Sequence, residues 1–384
     1  MKKLLVLFTS PIRGGAENYA LTVASAAAES DWNAHVAFSG RPELQELARE
    51  FSQAGVTYHP ANIVDVGSYE TIDSNWSRIL SAWTLIRAIS PDVILLVLCG
   101  IQYGLSPMIA SALAGVPICV VYQLVREDTH MRLGSQRIRK LLRLRRQTYV
   151  AVSKANQRIL SQKFDLDCSS IHVVANGVST SRFLKTAIER VRMRERIREE
   201  LGVPIDSKIL LTIGRLAEQK GHDVLIPAIP HILARHSNTH FLWAGEGPTR
   251  KMLEAALTTY GVRKYVTFLG WTRDIPDLMA GSDILIHPTR FEGQPFSLIE
   301  AMAAKLPIVT TNASGIGEVF TDHKHALICE VDDIRDIRQN VLWALDNPCA
   351  MEELAENAFR DRLPEYTEEQ MVKKTLQILT SISS

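Results

Sequence analysis

Cysteine is scarce and scattered. The five thiols, Cys99, Cys119, Cys168, Cys329 and Cys349, form none of the close pairs that a zinc site or redox motif needs. Their odd number fits a reducing compartment better than a disulfide framework. Charge of one sign is also lacking: 43 Lys+Arg stand against 42 Asp+Glu, a formal net charge of +1. No whole-chain field points to nucleic acid, so any basic site must be local. Nor does any apolar run approach the roughly twenty residues that a membrane-crossing helix takes; the strongest, 93–99, is far shorter. Met1-Lys2-Lys3 ahead of apolar residues 4–8 imitates a secretory leader, but the run is short and leads into Gly14-Gly15. It reads instead as a first buried strand. These absences point to a cytoplasmic protein, soluble or peripheral on the inner face of the membrane.

What is present is length and rhythm. With 384 residues, 46% hydrophobic and 22% charged, the chain can bury two cores. Short apolar runs at 4–8, 35–38, 93–98, 118–122, 149–152 and 171–174 alternate with amphipathic stretches such as 16–28 and 43–54. After Asn176-Gly177-Val178 comes a charged stretch, 188–200, closed by Pro204. A second series of runs follows at 208–213, 239–244, 265–269, 284–287, 308–310 and 326–329. No fixed-period repeat or low-complexity segment interrupts them. The pattern predicts α/β architecture: two Rossmann-like doubly wound domains facing each other across a cleft. The expected divisions are 1–178, a linker over 179–205, a second domain over 206–366, and a closing helical segment over 367–384.

Two stretches carry the chemistry. Gly214-Arg215-Leu216-Ala217-Glu218-Gln219-Lys220-Gly221 and Phe291-Glu292-Gly293-Gln294-Pro295-Phe296-Ser297-Leu298-Ile299-Glu300 each follow an apolar run and lead into a helix. Their side chains thus fall on the sheet edge where α/β proteins bind ligands. Arg215 and Lys220 share one loop, close enough to converge on a diphosphate. Glu292, flanked by Gly293, suits a sugar contact, and Glu300 suits a vicinal diol such as ribose. The competing view of Glu300 is a capping box with Ser297. Amides from Gly293 through Gln294, Phe296, Ser297 and Leu298 form a positive helix entrance, and Pro295 with Gly293 lets a ligand approach closely. In the first half, Gly14 and Gly15 offer bare backbone after the first strand, without the spacing of a dinucleotide fingerprint. Asp165-Leu166-Asp167 reads as a solvated turn, so no metal is expected. Arg137 to Arg146 reads Arg-Ile-Arg-Lys-Leu-Leu-Arg-Leu-Arg-Arg, either a domain helix with a charged outer face or a contact for an anionic membrane surface. Among the histidines, His287 at a strand end and His130 in a loop fall nearest the expected cleft.

These residues resemble glycosyltransferase family 4, the retaining sugar-nucleotide transferases of the GT-B fold. The similarity runs through Gly14-Gly15-Ala16-Glu17, Val152-Ser153-Lys154, Asn176-Gly177-Val178, Gly214-Arg215, Lys220-Gly221, Gly245-Glu246-Gly247-Pro248 and residues 291–307. The resemblance implies that Glu292 contacts the donor sugar, Glu300 the ribose, Arg215 and Lys220 the diphosphate, and Gly15 the diphosphate from the acceptor side. It implies retention by front-side attack, and a last helix crossing back to the first domain. The family's histidine after a first-domain strand has no counterpart in residues 118–124, where Tyr122 or Gln123 takes its place. Ser179 replaces the usual aspartate, and Gln294-Pro295 resembles a subset that builds capsule, O-antigen or exopolysaccharide.

The expectation is a metal-independent, cofactor-free retaining glycosyltransferase. It moves a hexose-type sugar from a nucleoside diphosphate to a glycan or lipid-linked acceptor, with no nucleic-acid partner. The rivals are an epimerase of the same fold, a non-catalytic partner subunit, and a membrane-recruited scaffold.

Overall fold

The computed structural model describes residues 1–64, 76–129, 133–142 and 146–383. The chain divides into two compact units, Met1–Asn176 with Glu368–Ser384, and Gly177–Thr367.

The first unit is built on a seven-stranded sheet of order β3-β2-β1-β4-β5-β6-β7. Its strands are β1 (Lys2–Phe8), β2 (Trp32–Phe38), β3 (Thr57–Pro60), β4 (Val93–Leu98), β5 (Ile118–Tyr122), β6 (Gln147–Ala151) and β7 (Ile171–Val173). All neighbours pair in parallel. β4, Val-Ile-Leu-Leu-Val-Leu, is buried along its whole length, as a central strand covered on both faces must be. β3 is the strand without an apolar run: Thr-Tyr-His-Pro lies half exposed at the sheet edge, where a proline needs no ladder partner. The helix Glu368–Ile382 packs on the helix Gly15–Ala28, burying Met371 and Leu379 and joining the Tyr19 and Thr375 hydroxyls at 2.6 Å.

The second unit has a six-stranded parallel sheet of order β10-β9-β8-β11-β12-β13. Its strands are β8 (Lys208–Ile213), β9 (Thr239–Ala244), β10 (Val266–Gly270), β11 (Ile284–His287), β12 (Ile308–Thr311) and β13 (Leu327–Cys329). Leu210, Trp243, Ile286, Val309 and Leu327 anchor its core.

Residues 179–205 depart from the expected linker. They carry the helices Thr180–Phe183 and Ala187–Leu201, and both belong to the second unit. Thr186 and Glu189 cap the longer helix reciprocally. Its buried face is held by Arg198, only 1% exposed, which donates to Asp283 Oδ2 at 2.7 Å and to the Ser207 and Gly281 carbonyls at 2.9 and 3.0 Å. A helix anchored through a buried arginine has no apolar stripe, so its charge reads as linker.

Candidate active site

In a doubly wound sheet the loops diverge where strand order reverses, and ligands settle in that opening beyond the strands' carboxyl ends. In the second unit the reversal falls between β8 and β11. The loop after β8 carries Arg215 and Lys220, and the loop after β11 carries Glu292. Glycine lets these loops pack backbone on backbone. A Cβ on Gly221, whose φ is +65°, would sit 1.9 Å from the Pro288 carbonyl oxygen, and one on Gly315 would sit 2.0 Å from that of Gly293.

The two loops are stitched together by groups that sequence reasoning passed over. The Arg290 amide donates to the Gln219 carbonyl at 2.8 Å, and Gln219 Nε2 donates to the Phe291 carbonyl at 2.9 Å. The Arg290 guanidinium grips Asp223 at both carboxylate oxygens, 3.0 and 2.7 Å, and reaches Asp332 at 2.7 Å. Such a planar fork fixes orientation as well as charge. No spacing rule singles out Arg290, because its partners come from two stretches far from it in sequence, residues 218–223 and Asp332.

At the centre, Lys220 Nζ donates to Glu292 Oε1 in an ion pair whose side chains are 17% and 8% exposed. Oε1 also lies 3.1 Å from Thr289 Oγ1 and 3.4 Å from His287 Nε2. Burial alone would push the Glu292 carboxyl up; the Lys220 ammonium and the His287 contact outweigh it and hold it down at about 2. Burial lowers the pKa of His287 despite Glu292, which keeps the imidazole neutral near pH 7. Of the two histidines nearest the expected cleft, His287 thus sits at this cluster, while His130 lies outside the described residues.

Glu300 behaves differently. The helix it occupies is Phe296–Ala303, with Pro295 at the N-cap and no side-chain cap bond. The Ser297–Glu300 capping box therefore does not form, because Ser297 already lies inside the first turn. The Glu300 carboxyl is pushed up to about 7 by burial, against the pull of Arg182. Arg182 comes from the stretch expected to be linker. Gly293, Gln294, Ser297 and Leu298 are buried around this entrance, and Phe296 is half-buried. Arg215 is exposed and makes no ion pair with the described residues.

Gly14 and Gly15 belong to the first unit, both exposed, Gly14 ending the loop after β1 and Gly15 opening the helix Gly15–Ala28, beside that sheet's own reversal between β1 and β4. Gly14 has extended backbone, φ −158°, so close approach rather than conformation is what a glycine offers there. Next to it, the Glu17 carboxyl is buried and pushed up to about 7 by that burial, a feature the sequence did not announce. Tyr122 points into the core with its hydroxyl 3.2 Å from Arg139, whereas Gln123 Oε1 accepts from Asn176 Nδ2 at 2.9 Å. Arg139 is itself buried, so the basic stretch is not a purely outward face; Leu141 is exposed, and residues 143–145 lie outside the described residues. Asp165 ends one helix in the left-handed region and Asp167 caps the next turn through Ser169, so the Asp-X-Asp is occupied by backbone duties. Among the described residues no helix is long and apolar enough to cross a membrane.

Two parallel, doubly wound units define the GT-B fold. The family model for glycosyl transferases group 1 matches residues 193–361, and that for glycosyltransferase family 4 matches residues 13–182. The chain belongs to glycosyltransferase family 4. It is 30% identical over 241 residues to the uncharacterized glycosyltransferase MJ1607 of Methanocaldococcus jannaschii, a match covering 60% of this chain and 58% of that one. It is 26% identical over 240 residues to UDP-Gal:alpha-D-GlcNAc-diphosphoundecaprenol alpha-1,3-galactosyltransferase of Escherichia coli, covering 60% of this chain and 61% of the relative. The matches thus span less than two thirds of either relative's length. In fold the chain is similar to Anabaena Alr3699/HepE, solved in complex with UDP-glucose, with a TM-score of 0.82 at 18% identity over 99% of this chain and 100% of that one.

Proposed function

We propose that the chain is a metal-independent retaining glycosyltransferase that moves a sugar from a nucleoside diphosphate to a glycan or lipid-linked acceptor in cell-surface polysaccharide assembly. The observation that carries this reading is the paired Lys220 and Glu292 at the β8–β11 reversal, with the exposed Arg215 on the same loop. Arg215 and Lys220 are placed to hold the diphosphate and stabilise the charge that develops as its bond to the sugar breaks. Two cations do there what a metal would do elsewhere. Glu292 holds the sugar, Glu300 the ribose diol, and the amides from Gly293 to Leu298 the remaining oxygens. In the first unit, Gly14 and Gly15 offer bare backbone that a substrate can approach closely.

In the step itself, the acceptor oxygen bonds to the anomeric carbon on the face the diphosphate leaves. The carbon–phosphate-oxygen bond breaks, and the departing oxygen takes the acceptor's proton. No side chain becomes a covalent nucleophile. The Escherichia coli relative's diphosphoundecaprenol substrate and the UDP-glucose bound by Anabaena HepE support a lipid-linked acceptor and a nucleotide-sugar donor. A lipid-linked acceptor places the reaction at the inner membrane face, where Arg137 and the exposed Leu141 would meet anionic lipid.

A thermal-shift screen of UDP-, GDP- and ADP-sugars tests the donor half, since a ligand at about a hundred times its dissociation constant stabilises by ~2.7 kcal/mol. The reading fails if none of them binds, or if bound donor is converted to an epimer with no acceptor present.

Glu300 adds a pH signature. A nucleotide sugar carries no phosphate that titrates between pH 6 and 8, so a change in its affinity over that range reports on the protein. With a carboxyl at about 7 that must ionise to hold a diol, donor affinity should rise about tenfold from pH 6 to pH 8. Glu300→Gln should flatten the profile, and an equally steep one in that variant would remove Glu300 from the diol site. Stability moves the other way. The folded chain keeps a proton that the unfolded chain releases near 4.5, so this contribution is full below about 4.5 and lost as pH rises through about 7.

A further inference from the structure

We propose that Lys220 serves two partners in turn: Glu292 before a donor arrives, and the donor's diphosphate afterwards, so that binding the diphosphate releases Glu292 Oε1 for a sugar hydroxyl. This rests on the donor reading above and adds an order of events to it.

Three features of the site carry the exchange. First, the pair as it stands commits Glu292 Oε1 and one of the three Lys220 donors to each other, so Oε1 is covered by the ammonium. Second, the ammonium can turn on its stem. Lysine carries its charge on a flexible stem with rotatable donors. The Lys220 stem runs beside Gly214, where even a Cβ would come within 3.3 Å of its Cδ and Cε. Rotation about the terminal torsions redirects Nζ without moving the backbone, which the Gln219–Phe291 and Arg290–Gln219 bonds hold in place. Third, Glu292 is not stranded when Lys220 turns away. Thr289 Oγ1 remains at 3.1 Å, shared with the Gln219 carbonyl at 3.0 Å, and the buried His287 Nε2, which has no hydrogen-bond partner among the described residues, stays within reach of Oε1 at 3.4 Å.

The direction of exchange follows from charge. A diphosphate presents more negative charge than one carboxylate, and the exposed Arg215 on the same loop meets it first. Once the phosphates lie against Arg215, Lys220 gains more by turning to them than by staying on Glu292. A sugar lacking the diphosphate cannot trigger this release. Sugar recognition is therefore conditional on diphosphate binding, which protects the site from the free monosaccharide.

The test is calorimetric titration of UDP, GDP and ADP into wild type, Glu292→Gln, Lys220→Met and the double variant. The glutamine keeps the shape of the side chain and removes the charge that competes for Lys220. It should therefore tighten the nucleoside diphosphate that binds wild type by about tenfold, even though it should abolish transfer. In the Lys220→Met background the same substitution should give no gain, the coupling that a double-mutant cycle isolates. Unchanged or weaker binding by Glu292→Gln overturns the exchange, as does an equal gain without Lys220, which would mean simple charge repulsion. If none of the three nucleotides binds wild type, the donor reading itself fails and the exchange falls with it. Wild-type crystals soaked with the nucleotide give a readout independent of any variant's folding: Lys220 Nζ should lie on a phosphate oxygen and out of hydrogen-bonding distance of Oε1. An ion pair still intact beside a bound diphosphate refutes the proposal.

Discussion

Lys220→Ala should lower kcat/KM for glycosyl transfer by about a hundred- to a thousandfold, the range typical of losing one preorganised donor to developing charge. The residue lies on the loop after β8, fixed through Gln219 and Arg290 to the loop after β11, so its ammonium needs little reorganisation when the bond breaks. The loss should fall mainly on kcat, because charge on the departing diphosphate grows toward the transition state. Removal also leaves Glu292 without its cation, while Thr289 and His287 still flank it, so the second unit should stay folded. Steady-state kinetics with the donor that passes the thermal-shift screen, together with circular dichroism of the variant, decides the matter. Transfer within tenfold of wild type would show that Lys220 does not face the reacting diphosphate.

The largest expected effect on stability is at Gly221. Its φ of +65° is left-handed, and a Cβ there would lie 1.9 Å from the Pro288 carbonyl oxygen, which is backbone and cannot rotate away. Left-handed strain and overpacking each cost roughly 1–3 kcal/mol, so Gly221→Ala should destabilise by about 4 kcal/mol. For a unit of this size that corresponds to a fall of roughly 10 °C in Tm. Gly202→Ala is the matched control: φ is +64° there, yet no atom lies within 4 Å of the new Cβ, so only the backbone strain remains. Equal Tm shifts for the two variants would mean that the β8 and β11 loops separate easily to admit a methyl group.

The strands were legible in the sequence because a parallel sheet buried on both faces leaves continuous apolar runs. β4 is such a run, buried throughout, and the 241–244 end of β9 is another. β3 was not, since an edge strand of Thr-Tyr-His-Pro needs only one buried neighbour. The helix Ala187–Leu201 was hidden for a related reason: it docks through the Arg198 guanidinium and Asp283, and a charged anchor looks like solvated surface until the partner's place in space is known. In the site, Lys220 and Glu292 were recognisable from the turn residues around them. Their surroundings were not. His287 stood out by its place at a strand end; Thr289 and Arg290 precede the motif directly, but their roles depend on the return of the β8 loop, a contact between residues about seventy positions apart. The capping box at Ser297 failed because Pro295 starts the helix earlier than the Ser-x-x-Glu pattern suggests.

The helix Glu368–Ile382 is synthesised after the whole of the second unit, yet it completes the first. On the ribosome, residues 177–367 emerge as one uninterrupted stretch that can close as soon as it is free, whereas the earlier sheet waits, with the side of Gly15–Ala28 around Tyr19 still bare. The half begun first is thus finished second, and during that interval its uncovered helix is the natural point of capture for a chaperone.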